Sequence, residues 1–477
     1  MTKKNLITVS LAASYVLAVL IAGCIPEDSL QWNYDGSKGI YSKKGALFLV
    51  DGSTGALTQI ADKQTSAFWP AISPDGSQIA YSQIIKVSDF NNAFNLLPAA
   101  QTGEIKNSAV ILRHEILARD VFDGNFPPLN DTSNEQHLAW VQRYVVENAD
   151  TQLAGKIGPE LIRKTKEKEL TYYQLTLSHA ADPNNKKIIM TSDRQLWRQK
   201  FSPDSKLLAF IIDNINGKTF EAGFDLYITN LAQNTPPALI APAVSCSYDF
   251  RPDSSAFAFL SPEDENLKDQ KLALGSLVEF TLFNADGKFL TYPHNESHTK
   301  EYAGVIYNSW MSVTYARNDR IFFSSGKLTV PSGKIDTEKG SVFCADTLTG
   351  AVSDILPQLA LDFTQGNYDL FQLSHDSRKL LLPGNKNTVG IYAMGPDIEN
   401  SKILVDSNEG FGEDAPPKLV PQWKGQDQVS CLVDAKSHYL TNDPNIPHNR
   451  KEIVILDDKG NLVQILSKSW PDELLEF

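Results

Sequence analysis

The stretch AISPDGSQIAYS, running from Ala71 to Ser82, sets a tight turn directly in front of a short alternating apolar run. Pro74 presets φ for the second position of a turn, Asp75 can bond its own backbone, and Gly76 tolerates positive φ. Gln78 to Ser82 then has the length and alternation of a strand. The same pairing returns as FSPDSKLLAFI at Phe201, FRPDSSAFAFL at Phe250, YARNDRIFFSS at Tyr315 and LSHDSRKLLLP at Leu373. Fainter copies are WKGQDQVSCLV at Trp423 and WNYDGSKGIYS at Trp32, which makes seven.

Each copy is followed by a second signature, an apolar strand, a polar turn and another strand. Examples are LFLVDGSTGALTQI from Leu47, VFCADTLTGAVSDIL from Val342 and IVILDDKGNLVQIL from Ile453. In the second copy this pair is delayed until Tyr172, and in the fourth it reads as VEFTLFNADGKFLTY from Val278. Four antiparallel strands per unit of about 40 to 50 residues is the arithmetic of a propeller blade. One such sheet cannot bury both its faces, so blades must stack around an axis to make a core.

The expected fold class is therefore all-β, a β-propeller of four-stranded antiparallel blades filling residues 32–477. Seven blades are expected near 30–63, 67–193, 195–241, 244–293, 308–357, 368–406 and 419–467. The alternative is six, with the first copy lending its strands to the last sheet. The motif resembles the WD40-like repeat of the TolB propeller and its relatives, named PD40 for the Pro-Asp pair. Pro74-Asp75, Pro203-Asp204 and Pro252-Asp253 match it, whereas Asn318-Asp319, His375-Asp376 and Gln426-Asp427 depart from it. TolB also carries an α/β domain before its propeller. Only seven residues separate Cys24 from Trp32, so no such domain is expected here.

The interval from Asp75 to Asp204 exceeds that from Asp204 to Asp253 by about 80 residues, which places an insertion at 90–168 within the second blade. Its periodicity is helical. Val110, Leu112, Ile116, Leu117 and Val121 form one stripe, Thr132 and Glu135 have capping-box spacing, and Leu138, Val141 and Val145 share a face. Pro159 can open a third helix. Such helices must rest an apolar face on something. They are expected to act as a lid or docking element, the alternative being a cover for a blade edge.

The first 23 residues have a basic start at Lys3 and Lys4, an apolar run and small residues at the end, the plan of an export signal. Ile21-Ala22-Gly23-Cys24 resembles the lipobox of bacterial lipoproteins, which implies lipidation of Cys24, a short tether at 24–31 and attachment to a membrane through lipid. Ile25 stands where an aspartate would signal inner-membrane retention. The resemblance thus implies the outer membrane of a cell envelope that has one. Losing Lys3 and Lys4 takes the formal net charge from -13 to -15. Nucleic acid is a poor partner for such a molecule, and an envelope protein is the expected one.

No G-x-S-x-G elbow, Gly-rich phosphate loop or CxxC pair occurs. His294 and His298 have zinc-like spacing but sit beside Pro293 in a polar loop, and Asp120, Asp123 and Asp131 lack the alternating ligands of a calcium loop. No catalytic residue, metal or cofactor is expected. Cys246, Cys344 and Cys431 lie in apolar strand-like runs and read as buried thiols, with a disulfide as the alternative. Trp32, Trp69, Trp197, Trp310 and Trp423 fall in or just before the strand leading into each turn. They read as wedges between blades, with Trp69 and Trp197 as the candidates for an exposed binding rim. The expected function is a non-catalytic protein-binding scaffold. Its alternative is an enzyme or small-ligand binder working at the channel mouth.

Overall fold

A computed structural model describes residues 29–87, 170–192, 194–213, 223–233, 236–262, 273–292, 298–307, 311–329, 334–355, 371–383, 388–393, 400–404, 421–433 and 451–475. The export signal, Cys24, the helical insertion at 90–168, Asp120, Asp123, Asp131, His294 and Trp310 lie outside the described residues. The strands form seven four-stranded antiparallel sheets, each made from one continuous run of the sequence order. Blades 1 to 7 occupy 29–61, 67–192, 196–244, 248–307, 313–354, 372–404 and 422–465.

The chain divides into two compact units. The larger holds blades 1 and 3 to 7, apart from Leu196, so six blades are complete or nearly so within it. Blade 2 is shared between the two units, although its first strand, Ala67–Ile72, and its turn fall in the larger one. The first blade builds its own sheet from Ser29–Trp32, Lys38–Lys43, Ala46–Asp51 and Leu57–Ala61, and the last builds its own from Gln422–Lys424 onward. No strand of the first copy completes the last sheet.

Burial explains why the alternation of the sequence fades within blades. The second strands Ala256–Pro262 and Gln428–Val433 are buried along almost their whole length, since neighbouring blades cover both faces. The outermost strands Val352–Asp354 and Leu462–Ile465 are largely exposed. The first strands of neighbouring blades approach one another and are therefore innermost.

Apolar clusters fill the joins between blades. Phe257, Phe259 and Phe280 of blade 4 meet Ile211, Phe224 and Leu226 of blade 3. Tyr315, Ile321 and Phe323 of blade 5 meet Leu260 and Leu277 of blade 4. Each buried phenyl or leucyl side chain contributes roughly 1.5–3 kcal/mol, so these joins, more than the ladders, hold the blades in place.

Blade 7 packs on blade 1 through Leu30, Trp32, Tyr41, Val50, Leu432, Ile453 and Ile455, together with the C-terminal Leu466, Trp470, Leu474 and Leu475. Trp32 Nε1 donates to Ser430 Oγ at 3.0 Å, Tyr41 OH to Leu474 O at 2.7 Å, and Trp470 Nε1 to Gly55 O at 2.6 Å. The two ends of the repeat array are thus joined by side-chain packing with no exchanged strand.

One expectation needs correcting. The hairpin around Asp286-Gly287 in blade 4 is only an isolated bridge between Phe283 and Phe289. The fourth strand is instead Thr299–Tyr307, so this blade runs on to residue 307 rather than ending at 293. Paired with Ala273–Thr281, it covers an edge that the short hairpin would leave open.

Candidate functional site

The turns that identify the repeat build one end of the propeller. In blade 2, Ser73 Oγ donates to Asp75 Oδ1 at 2.6 Å and accepts Gln78 N–H at 2.9 Å, while Ser77 N–H donates to the same Asp75 oxygen at 3.0 Å. Ser202 with Asp204 and Ser374 with Asp376 repeat the arrangement at 2.6 and 2.7 Å. Burial alone would raise the Asp75, Asp204 and Asp376 carboxyls. The serine and backbone donors outweigh it and hold all three below the usual range. These carboxylates are fixed in place and ionised at neutral pH.

The third-to-fourth strand turns lie at the same end, tied to the first by Gly52 N–H donating to Ser37 O, Ala180 N–H to Ser77 O and Leu231 N–H to Lys206 O. Leu348, on such a turn in blade 5, is 78% exposed there.

Adjacent turns also bond to each other, and the contact at each join follows from the residue present. Tyr34 N–H donates to Pro74 O at 3.2 Å between blades 1 and 2. Asp75 N–H meets Ser205 Oγ at 3.4 Å, Asp204 N–H meets Ser254 Oγ at 3.4 Å, and Arg317 N–H meets Ser377 Oγ at 3.0 Å. Arg251 takes the place of the capping serine in blade 4, and its guanidinium reaches Asp319 of blade 5 at 3.9 Å. Lys379 binds Asp427 of blade 7 at 2.6 Å. Gly36 packs so tightly on the turn of blade 7 that a Cβ there would stand 2.9 Å from Gly425 N. All seven joins are thereby bridged.

Three of these turns send a side chain inward, two of them from the position that proline holds in blades 2 to 4 and the third, in the shorter turn of blade 5, from the residue before Asn318. They are Tyr34 of blade 1, Arg317 of blade 5 and His375 of blade 6. The Tyr34 and His375 rings stack with centroids 4.9 Å apart, and the Arg317 guanidinium lies 4.5 Å from the centre of the tyrosine ring. Blades 1, 5 and 6 are not neighbours except for the last two, so this contact spans the axis. Burial pushes the His375 pKa down, backbone groups of Tyr34 and Gly425 oppose the shift, and Arg317 adds to it, so the ring is neutral at pH 7. Its Nδ1 is buried without a partner.

The wall of the channel carries the expected tryptophans. Trp197 is not exposed as a rim would require. It is 3% exposed and packs among Leu207, Phe224 and Tyr248, because the strand alternation turns its ring into the join between blades. Trp32 and Trp423 are buried in the same way, the latter donating from Nε1 to Gln372 O at 3.2 Å. Trp69 is half-buried, 5.8 Å from the Trp197 ring, with Arg198 above it at 5.3 Å. Further along, Lys200 Nζ lies 2.6 Å from Asp249 Oδ1. Asp249 also accepts from Thr314 Oγ1 and Tyr315 N–H, both at 2.9 Å, which ties three inner strands together.

Glu279 is the main charged group buried between blades 4 and 5. It accepts from Tyr302 OH, from Tyr315 OH at 2.9 Å and from Arg251 at 3.4 Å. Each carboxylate oxygen has a partner, so this cluster locks a join. Cys246, Cys344 and Cys431 are free and buried. Burial raises all three thiols, Cys344 to about 11, and leaves them protonated and inert. Among the described residues no three His, Cys, Asp or Glu side chains are grouped to hold a metal, and no helix is long and apolar enough to cross a membrane.

Four-stranded blades with buried joins, seven bridged turns and first strands facing one axis define an all-β propeller. TolB proteins and other β-propellers are among the solved structures that share features of this fold. TolB from Acinetobacter baumannii is 14% identical with a TM-score of 0.35, covering 61% of this chain and 58% of its own. The β-propeller domain of the Trilobed protease from Pyrococcus furiosus is 11% identical with a TM-score of 0.46, covering 92% and 96%. An acylaminoacyl peptidase is 11% identical with a TM-score of 0.44, covering 91% of this chain and 49% of its own. The chain thus spans 58% of that TolB and about half of that peptidase. No family model matches it, and no curated protein matches it.

Proposed function

We propose that this propeller is a non-catalytic scaffold that binds another protein on its turn-bearing end. The observation that carries the reading is the continuity of that end: turns from all seven blades are bridged to their neighbours and centred on Tyr34, Arg317 and His375. A face so held loses little conformational freedom on docking, which favours affinity. Tyrosine and arginine are the residue types that concentrate binding energy in protein interfaces. The ionised turn carboxylates around them favour a partner of positive potential and speed its approach. Cys24 would hold the molecule at a membrane by lipid, in the outer membrane of a two-membrane envelope. The insertion at 90–168 would act as lid or second docking element.

Capture from detergent-solubilised envelope separates these parts. The intact chain should recover a partner that Arg317→Glu with Tyr34→Ala loses and that Val463→Glu, on an outermost strand, retains. A version lacking residues 90–168 reports on the insertion alone. Equal recovery by all four chains would overturn the turn-end reading.

A further inference from the structure

Blade 5 departs from its counterparts on the turn-bearing end. In blades 1, 3, 5 and 7 one hydrogen bond sets the tip of the third-to-fourth strand turn. It runs from the backbone N–H of Ser53, Ala232, Leu348 or Lys459 to the Asp or Asn side chain two residues earlier. Of these four tips only that of blade 5 is a large apolar residue. Leu348 is 78% exposed, the highest value among the exposed large apolar side chains of the described residues. The turn itself does not require it, since serine, alanine and lysine make the same bond. Thr347 N–H and Oγ1 both donate to Asp319 O, at 2.8 and 2.9 Å, and so fix this turn to the inner one that carries Arg317.

The charges of this sector are also distinct. Arg317 and Arg320 are exposed on the inner turn, and Lys300, reaching over from blade 4, donates to Thr347 O beside Leu348. The Arg317 guanidinium lies on the Tyr34 ring and has no carboxylate within salt-bridge distance among the described residues. On the same end Lys206, Arg251, Arg378 and Lys379 each have one. Two acids of blade 5 stand nearby, and both are engaged. Asp319 faces Arg251 at 3.9 Å, and Asp346 accepts Leu348 and Thr349 N–H at 3.0 and 2.8 Å. The sector is thus a locally basic patch on an end otherwise marked by ionised turn carboxylates.

An exposed arginine resting on an aromatic ring offers a planar fork to a carboxylate, and an exposed leucine offers apolar contact area. The two turns stand two strand spacings apart, roughly 10 Å, which an extended chain covers in about three residues at ~3.3 Å each. We propose that blade 5 binds an extended segment of the partner in which an acidic residue and a large apolar residue are separated by two others. The acid sits on Arg317 and the apolar side chain on Leu348. The segment runs outward from the axis past Lys300, while basic surface of the partner faces the carboxylates of the other blades. This inference rests on the reading of the turn-bearing end as a docking face and specifies what is recognised there.

The test uses the full chain labelled with 3-fluorotyrosine, with the Tyr34 ¹⁹F resonance identified by its loss in Tyr34→Phe. The probes are N-acetyl-Glu-Ala-Ala-Leu amide, the same peptide in reversed order, and versions of each with Gln for Glu or Ser for Leu. One of the two orders should shift the Tyr34 signal, and which one gives the direction of the bound chain. Gln for Glu should weaken that peptide about tenfold, and in Arg317→Gln the two should bind alike. Arg317→Lys, which keeps the charge without the planar fork, should retain part of the Glu preference. Leu348→Ser should weaken the Leu peptide and leave the Ser peptide unchanged. Each comparison sets two peptides against one chain, so a loss of folding does not mimic it. No shift with any peptide, equal binding of Glu and Gln by the native chain, or a Glu preference that survives in Arg317→Gln would overturn the proposal. If the peptides fail while Arg317→Glu with Tyr34→Ala still loses the envelope partner, this inference alone falls. Capture unchanged by that pair of substitutions removes the docking face as well.

Discussion

Removing Trp470 should unfasten the join between blades 7 and 1. The residue is 3% exposed, its ring stands 5.0 Å from that of Tyr41, and its Nε1 donates to Gly55 O at 2.6 Å. Tryptophan buries about 150–250 Å2, which at ~25 cal/mol per Å2 amounts to roughly 4–6 kcal/mol. Measured truncations of large buried aromatics to alanine cost about 3–5 kcal/mol. Trp470→Ala is therefore expected to cost about 4 kcal/mol, a large share of the 5–15 kcal/mol typical of a folded domain. Trp470→Phe keeps most of the ring but leaves Gly55 O unpaired, for which about 1–2 kcal/mol is expected. Urea unfolding followed by far-ultraviolet circular dichroism gives both values. A cost below about 1 kcal/mol for the alanine variant would refute the reasoning, because a join held by this side chain cannot lose it so cheaply.

The turns offer sharper contrasts. Gly36→Ala places a Cβ 2.9 Å from Gly425 N at a φ of +71°, so thermal unfolding should show a loss above the ~1–2 kcal/mol of the left-handed backbone alone. Ser254 has φ of 63° and accepts Asp204 N–H at 3.4 Å. Ser254→Ala should lose about 0.5–1 kcal/mol with that bond, whereas Ser254→Gly should be near neutral, since relief of the backbone offsets the loss. His375, held below its ordinary pKa of 6.5, contributes stability that is complete above that pH. As pH falls below 6.5 the unfolded chain takes up the proton first and the contribution declines. Urea midpoints at pH 7.5 and 5.5 should therefore converge more closely in His375→Gln than in the native chain. The Asp51 carboxyl, pulled down to about 2 by Ser53 and Thr54, should keep its turn until the pH drops from 4 toward 2.

The architecture was legible because its signal is chemical and repeated. Pro-Asp followed by glycine or serine demands one turn, and the residue after the aspartate takes left-handed backbone in Gly76, Ser205, Ser254 and Ser377 alike. The motif fades in blades 5 and 7 for a physical reason. There Ala316 pairs with Arg320 and Lys424 with Gln428, so the turn is one residue shorter and has no place for the pair. The central stack was less legible. Tyr34, Arg317 and His375 look like decay of the motif, yet in blades 1 and 6 substitution at the proline position is what lets a side chain reach the axis, and in blade 5 the shorter turn does the same for Arg317. Trp69 was visible as an aromatic near the channel, but Arg198 was hidden by its neighbour. The strand alternation that buries Trp197 leaves Arg198 half-buried beside the Trp69 ring, a neighbour that register and not residue type predicts.

The claim that a protein docks on the turn-bearing end is tested most directly by position. A photoreactive benzoylphenylalanine placed at Lys206 or Arg378, whose side chains are 73% and 83% exposed on that end, would be irradiated in intact cells beside one at Val463, 51% exposed on an outermost strand. The expected result is a single protein adduct shared by the two turn positions and missing at Val463. Adducts at Val463 alone, or none from either turn, would contradict it.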